Sequence, residues 1–256
     1  MLGYDCYMPK RVQKPKIIVV MPAYNAARTV EKTVKDIPEG LVEEIILVDD
    51  NSTDNTVKTA KSLGLAVFSH SNNLGYGGNQ KTCYWEALKR KPDVVVMLHP
   101  DYQYDAALIG ELVRPILEKR YDFMFGSRIR TRSEALKGGM PFYKYFFNRF
   151  YSFIANFILG VNFSEHMSGL RAYSMKTLKK IPFQRFSNDF VFDQQFTISA
   201  ISKGLKIGEV PIPVRYYQDS SSIGWGKGLK FGLGSLWTLF LYVFDKLGVY
   251  HSKLFR

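Results

Sequence analysis

Cysteine is nearly missing from this chain: Cys6 and Cys83 are the two in 256 residues. They form no CxxC pattern and nothing suggests a disulfide framework, so a reducing compartment is expected. Long apolar runs are lacking too. No segment has the ~20 uncharged apolar residues of a confident membrane span. The opening stretch, MLGYDCYMPKRVQKPK, has no apolar core of a signal peptide. Acidic residues are in short supply: 23 Asp and Glu stand against 35 Lys and Arg, a formal net charge of +12. Such a balance favours polyanionic partners, whether nucleic acid, anionic membrane or phosphorylated small molecules. Dense Lys/Arg tracts, zinc-finger spacings and RNA-binding aromatic motifs are absent, which argues against nucleic acid. Internal repeats and low-complexity tracts are absent as well.

What is present is an ordinary globular composition, 46% hydrophobic and 23% charged, with a high aromatic share of 15%. From Lys16 onward short β-branched runs alternate with helical spacings. KIIVVMPAYN, VEEIILVDDNSTDNT, LAVFSH and DVVVMLHPD read as four strands. ARTVEKTVKDIP, DNTVKTAKSLG and KTCYWEALKRKP read as the helices between them. This alternation predicts a parallel sheet with helices on both faces, where ligands bind past the carboxyl ends of the strands. Four polar clusters fall there: Pro22–Asn25, Asp49–Asp50, Asn73–Gly78 and His99–Gln103.

The later half is less regular. YDFMFGSRIR reads as a strand and a basic loop, and residues 131–141 as flexible. FYKYFFNRFYSFIANFILG is an aromatic helix, SEHMSGLRAYS a polar insertion, FVFDQQFTISAISKG a helix and IGEVPIPVRYYQ a proline-limited edge strand. The tail is apolar from Leu236 to Phe244 and flanked by Lys227, Lys230, Lys246, Lys253 and Arg256. It suits an interfacial helix, with Trp225, Trp237 and Tyr242 at headgroup depth; a helix packed on the core or on another subunit is the alternative.

Asp101 and Gln103 are hard oxygen donors of the kind that Mg²⁺ or Mn²⁺ takes while sharing ligands with a substrate diphosphate. His99 could ligate Mn²⁺ or simply hydrogen-bond nearby. Asp49 and Asp50 can accept hydrogen bonds from a nucleobase or ribose, or cap the next helix. NNLGYGGN permits close backbone approach to a ligand, although Gly75, Gly77 and Gly78 do not fit GxGxxG. Arg128, Arg130, Lys144, Arg171 and Arg215 follow, and the arginine fork suits phosphate oxygens. Asp193, within FVFDQQF, is either a general base or the orienter of a basic residue.

VVMPAYNAARTVEKTV, ILVDDNSTDNT, NLGYGGNQ, VVVMLHPDYQY, FGSR and MSGLRAYS occur in the order seen in family 2 glycosyltransferases. Over about residues 16–218 the chain resembles the polyprenyl-phosphate sugar transferases, such as the dolichyl-phosphate mannose synthases. The resemblance implies a GT-A fold, a Rossmann-like, mostly parallel sheet flanked by helices. It also implies division into a basic lead-in (1–15), a nucleotide-sugar half (16–128), an acceptor half (129–218) and a C-terminal amphipathic or apolar helical tail (219–256). The implied activity is inverting transfer from a UDP- or GDP-linked sugar to a polyprenyl phosphate, with Mg²⁺ or Mn²⁺, on the cytoplasmic face of a membrane. A second copy or a membrane subunit is an open partner. By matching positions, Pro22, Ala23, Tyr24 and Asn25 correspond to the first donor loop, Asp49 and Asp50 to the base and ribose contacts, and Gly75 to a position near the nucleotide. Arg215 is assigned to the donor side. Asp101 and Gln103 correspond to the metal and diphosphate site, and Arg128 and Arg171 to basic positions near the transferred sugar or acceptor phosphate; with a lipid-phosphate acceptor, Lys144 is expected to help these arginines position it. Three positions depart from the pattern: Ala26 for a Glu, His99 for the first acid of Asp-x-Asp, and Glu165 for an Asp. A soluble enzyme acting on a glycan hydroxyl and a non-catalytic nucleotide-sugar binder are the alternatives.

Overall fold

A computed structural model describes residues 14–129, 131–213 and 225–256, apart from the side chains of Trp225 and Lys227. Arg130, Arg215 and Cys6, and the expectations placed on them, lie outside the described residues. The chain runs β1 (Ile17–Ala23), α1 (Val30–Lys35), β2 (Glu44–Asp49), α2 (Thr56–Ser62), β3 (Ala66–Ser69), α3 (Tyr76–Lys89) and β4 (Val94–Met97). It continues through α4 (Ile109–Leu117), β5 (Phe123–Ser127), α5 (Arg132–Lys137), α6 (Phe142–Leu159), β6 (Arg171–Ser174), α7 (Met175–Lys180), α8 (Phe192–Ser202), β7 (Ile207–Pro211) and α9 (Trp225–Lys246).

The seven strands form one sheet in the order β3-β2-β1-β4-β6-β5-β7. All seven residues of β1 are buried, as befits a central parallel strand covered on both faces. Alternation divides its side chains. Val19 and Met21 join Leu47, Val96 and Leu112 of α4 on one face. Ile18 and Val20 join Ile46, Met97, Tyr84 of α3 and Phe196 of α8 on the other.

The expected parallel core is present, and β6 is the exception: it pairs antiparallel with both β4 and β5. The SEHMSGLRAYS stretch, read as a polar insertion, is therefore partly sheet. Its last four residues form an interior strand that places Arg171 opposite Met97 and Phe125. Reversal matters for the site, because the start of β6 now lies on the same edge as the ends of β1, β2, β4 and β5.

Three further expectations are corrected. Residues 131–141, read as flexible, contain α5, started by the Thr131 hydroxyl accepting from the Glu134 amide at 3.1 Å. The glycine-rich segment is a loop only as far as Gly75; Gly77 and Gly78 are in the first turn of α3. The first donor stretch begins inside β1, with Pro22 and Ala23 its buried last residues. Proline is tolerated there for a definable reason. The Val20 carbonyl accepts from Leu98 and the Ala23 carbonyl from Asp50, so residue 22 faces the β4 side. β4 has ended at Met97, and no ladder bond is missed.

The tail forms α9, which docks on the core: Leu239 and Tyr242 join Tyr151 and Ala155 of α6 and Ile198 of α8. A Cβ at Gly234 would come within 2.6 Å of Val191, so glycine sets how closely α9 approaches the start of α8. Among the described residues no helix is long and apolar enough to cross a membrane.

Candidate active site

The site is built on the carboxyl edge of the sheet. Asp49 ends β2 and is buried; its Oδ2 accepts from the Ser52 amide at 3.0 Å. Its Oδ1 is buried with no partner in the structure, an acceptor that awaits a donor. Asp50 differs. Its Oδ1 accepts from the Leu74 amide at 2.8 Å and pairs with His70 Nδ1 at 2.8 Å, and its Oδ2 accepts from the Gly75 amide at 3.0 Å. Of the two carboxylates expected to meet base and ribose, Asp50 is committed to holding the 70–75 loop. His70 was missed by sequence reasoning, although its place at the end of the third strand was a usable signal. Asn25 adopts φ +51° and ties the first loop to the second, its amide donating to Ser52 Oγ at 2.8 Å and its Oδ1 accepting from Thr53 at 2.9 Å. Tyr24 beside it is 55% exposed.

Gly75 has φ +85°, and a Cβ there would lie 2.6 Å from the Asn188 carbonyl oxygen. That same carbonyl accepts from the Gly77 and Gly78 amides at 2.8 and 3.3 Å. Close approach does occur at the glycines, but the chain's own 187–189 segment makes it, and it takes up amides at the start of α3.

Past β4, Asp101 is half-buried and Gln103 buried. Asp101 Oδ1 accepts from the Gln103 amide at 3.2 Å, with Tyr102 between them at φ +63°. Among the described residues there is no group of three His, Cys, Asp or Glu side chains able to hold a metal alone. One carboxylate and one amide fit a Mg²⁺ or Mn²⁺ whose remaining positions come from a diphosphate and water. His99 is engaged elsewhere, its Nε2 3.0 Å from the Tyr76 hydroxyl. Burial pushes its pKa down, against the opposing pull of Asp101 and Asp193.

Arg171 is only 1% exposed. Its guanidinium donates to the Ser168 carbonyl at 2.8 Å, the Asp193 carbonyl at 3.1 Å and Thr197 Oγ1 at 3.1 Å, and pairs with Asp193 Oδ1 at 3.8 Å. Burial opposes its charge, but Asp193 together with Tyr173, Tyr76 and Tyr84 outweighs it, so its pKa is raised. The guanidinium expected near the sugar or acceptor phosphate is thus directed inward, onto the start of α8. Asp193 also accepts from Tyr76 at 2.7 Å and Gln80 at 3.2 Å.

Arg128, just after β5, forms a fork with Glu165, its Nη2 2.9 Å from Oε2, and its own amide donates to Oε1. Asn148 of α6 donates to the same carboxylate at 2.9 Å. Burial pushes Glu165 up, and the Arg128 charge and these hydrogen bonds outweigh it, leaving the carboxyl below its usual range. Lys144, on the first turn of α6, is half-buried; burial lowers its pKa and the Arg128 charge lowers it further. Arg128 and Lys144 thus make a positive corner beside the edge of the sheet.

The sequence pattern of Glycosyl transferase family 2 matches residues 18–182. The chain belongs to that family. An uncharacterized Methanocaldococcus jannaschii protein is 35% identical over 213 residues, covering 83% of this chain and 87% of that protein. The UDP-N-acetylglucosamine–dolichyl-phosphate N-acetylglucosaminyltransferase of Methanococcus voltae is 29% identical over 225 residues, covering 81% and 89%. The fold matches that of Mycobacterium tuberculosis glucosyl-3-phosphoglycerate synthase crystallised with Mn²⁺, UDP-glucose and phosphoglyceric acid. The TM-score is 0.68 at 22% identity, over 93% of this chain and 81% of that one. This family 2 chain is a glycosyltransferase with a GT-A fold.

The helix α6 has an unusual distribution of polarity. Its buried side carries Asn148 and Ser152, while Phe146, Phe150, Phe153 and Phe157 are 54–85% exposed. Their spacing of three or four residues places them on one face. α9 is similar: Ser235 and Thr238 are buried beside Leu239 and Tyr242, and Leu233, Trp237 and Phe240 are exposed. No acidic residue occurs within Phe142–Leu159, and the first in α9 is Asp245.

Proposed function

We propose that this glycosyltransferase moves a sugar from a UDP- or GDP-linked donor to a polyprenyl phosphate at a membrane surface, with inversion at the anomeric carbon. The outward aromatic faces of α6 and α9 carry this reading. An exposed apolar surface with basic residues and no acids suits the boundary of an anionic bilayer. The name of the Methanococcus voltae relative supports a lipid phosphate as acceptor.

In this reading Asp49 Oδ1 accepts a hydrogen bond from the donor nucleoside. Asp101 and Gln103 hold Mg²⁺ or Mn²⁺ together with the donor diphosphate. When bound, the metal supplies positive charge that stabilises the departing nucleoside diphosphate. Lys144 and Arg128 attract and orient the acceptor phosphate, whose oxygen attacks the anomeric carbon as the bond to the diphosphate oxygen breaks. The phosphate is already ionised, so no side chain need take a proton. A hydroxyl acceptor would demand a base, and the two nearby carboxylates, Asp193 and Glu165, already accept hydrogen bonds on both oxygens. Arg171 and Asp193 act as positioning groups beneath the site.

Purified protein given a panel of UDP- and GDP-sugars, Mg²⁺ or Mn²⁺, and dolichyl or undecaprenyl phosphate in detergent should yield a glycolipid detected by mass. The product should require metal and vanish in Asp101→Ala. Tight binding of one nucleotide-sugar with no glycolipid from any donor would overturn the acceptor assignment.

A further inference from the structure

Tyr76 belongs to α3, His99 follows β4 and Asp193 opens α8, so a contact among the three joins distant parts of the chain. The Tyr76 hydroxyl is 2.7 Å from Asp193 Oδ2 and 3.0 Å from His99 Nε2. A carboxylate only accepts, and a phenol has one proton to give. Tyr76 therefore donates to Asp193, and its oxygen is left to accept from His99. That requires the ring proton on Nε2 and leaves the lone pair on Nδ1.

The ring is also held sterically. Tyr76 stacks on it with centroids 5.4 Å apart at 21°, and Tyr104 is 5.9 Å away. A Cβ at Gly169 would come within 2.7 Å of His99 Cδ2 and Nε2 and 2.9 Å of the Tyr104 hydroxyl. The Gly169 amide donates to that hydroxyl at 2.7 Å. The glycine of MSGLR is thus the space in which the imidazole sits.

We infer that Tyr76 is a positioning residue through which Asp193 fixes His99 as its Nε2–H tautomer, so that Nδ1 is the acceptor nitrogen presented two residues before Asp101. The same hydrogen-bond logic gives an inversion. Asp193 Oδ1 faces two donors, Gln80 Nε2 at 3.2 Å and Arg171 Nε at 3.8 Å. In Asp193→Asn those donors hold the amide oxygen on their side and turn its NH₂ toward Tyr76. Tyr76 then accepts from the amide and donates to His99 Nε2, which moves the ring proton to Nδ1. This inference stands on hydrogen bonding alone and is independent of which acceptor the enzyme uses.

The test is a long-range ¹H–¹⁵N spectrum of the full ¹⁵N-labelled chain at about pH 8, where an ordinary histidine is neutral, with His99 assigned by His99→Gln. The wild type should show a protonated Nε2 and a bare Nδ1. Tyr76→Phe should average the two nitrogens, and Asp193→Asn should exchange them. His70, held by Asp50 and Thr82, and His166, held by Asn156, report that the fold is intact. A wild-type ring protonated on Nδ1, or a His99 pattern unmoved by Tyr76→Phe in a protein whose other histidine signals are unchanged, overturns the inference. Should Tyr76→Phe not fold, Asp193→Asn carries the test alone, and an unexchanged pattern refutes it.

Discussion

The outward face of α6 gives a quantitative prediction. Phe153 and Phe157 are 73% and 85% exposed, so replacing both with serine removes no packing of consequence from the core. Full burial of a phenylalanine contributes about 1.5–3 kcal/mol. Scaled by these exposures, two rings entering the acyl boundary contribute about 2–5 kcal/mol. At about 1.4 kcal/mol per tenfold, even the lower end weakens partitioning about thirtyfold. Flotation with phosphatidylcholine vesicles containing phosphatidylserine reads this directly. Thermal unfolding of the double variant should stay within about 0.5 kcal/mol of wild type, as for other surface substitutions. Replacing Trp85, exposed on α3, serves as a control of similar hydrophobicity outside the face. If the double variant floats as the wild type does, α6 does not enter the membrane, and the chief support for a lipid-phosphate acceptor is lost.

Three further outcomes follow from the site. Glu165→Gln should destabilise the protein by about 2–4 kcal/mol near neutral pH, because it weakens a buried ion pair on Arg128. The folded carboxyl lies below its unfolded range, so its contribution is complete above about pH 4.3 and fades as pH falls through the depressed folded value. The deficit of Glu165→Gln, measured by denaturant unfolding, should shrink in acid; a deficit that grows in acid would contradict the Arg128 pairing. Gly75→Ala combines a positive φ with a Cβ 2.6 Å from the Asn188 oxygen and should cost about 1–3 kcal/mol. A neutral Gly75→Ala would show that the 187–189 segment does not cover α3. Asp101→Ala should lower turnover at least about a hundredfold and weaken Mn²⁺-dependent UDP binding in calorimetry, and unchanged metal dependence would move the metal elsewhere.

The residues themselves determined the early part of the fold. β-Branched runs such as IIVV and VVV, each ending at a polar cluster, are legible because a parallel central strand is apolar on both faces. The ends of those strands located Asp49 and Asp101 at one edge, and the ordered motifs pointed to the family. Local pattern could not reveal what depends on distant partners. RAYS carries no sign that it runs backward between β4 and β5, yet that reversal brings Glu165 and Arg171 to the site. Arg171 and Arg128 look alike in sequence; one is drawn inward by Asp193 and Ser168, and the other sits at the edge against Glu165. The glycines of NNLGYGGN announce close approach, but not that residues 187–189 are what approaches. The aromatic run of α6 is legible as a helix, but only the fold shows that Tyr151 and Ala155 are buried with Asn148 and Ser152 while Phe146, Phe150, Phe153 and Phe157 face outward. Tyr76 had no signal beyond its place among those glycines. Its role arises only where three elements meet, since a single phenol proton must choose between a carboxylate and an imidazole that are far apart in the chain.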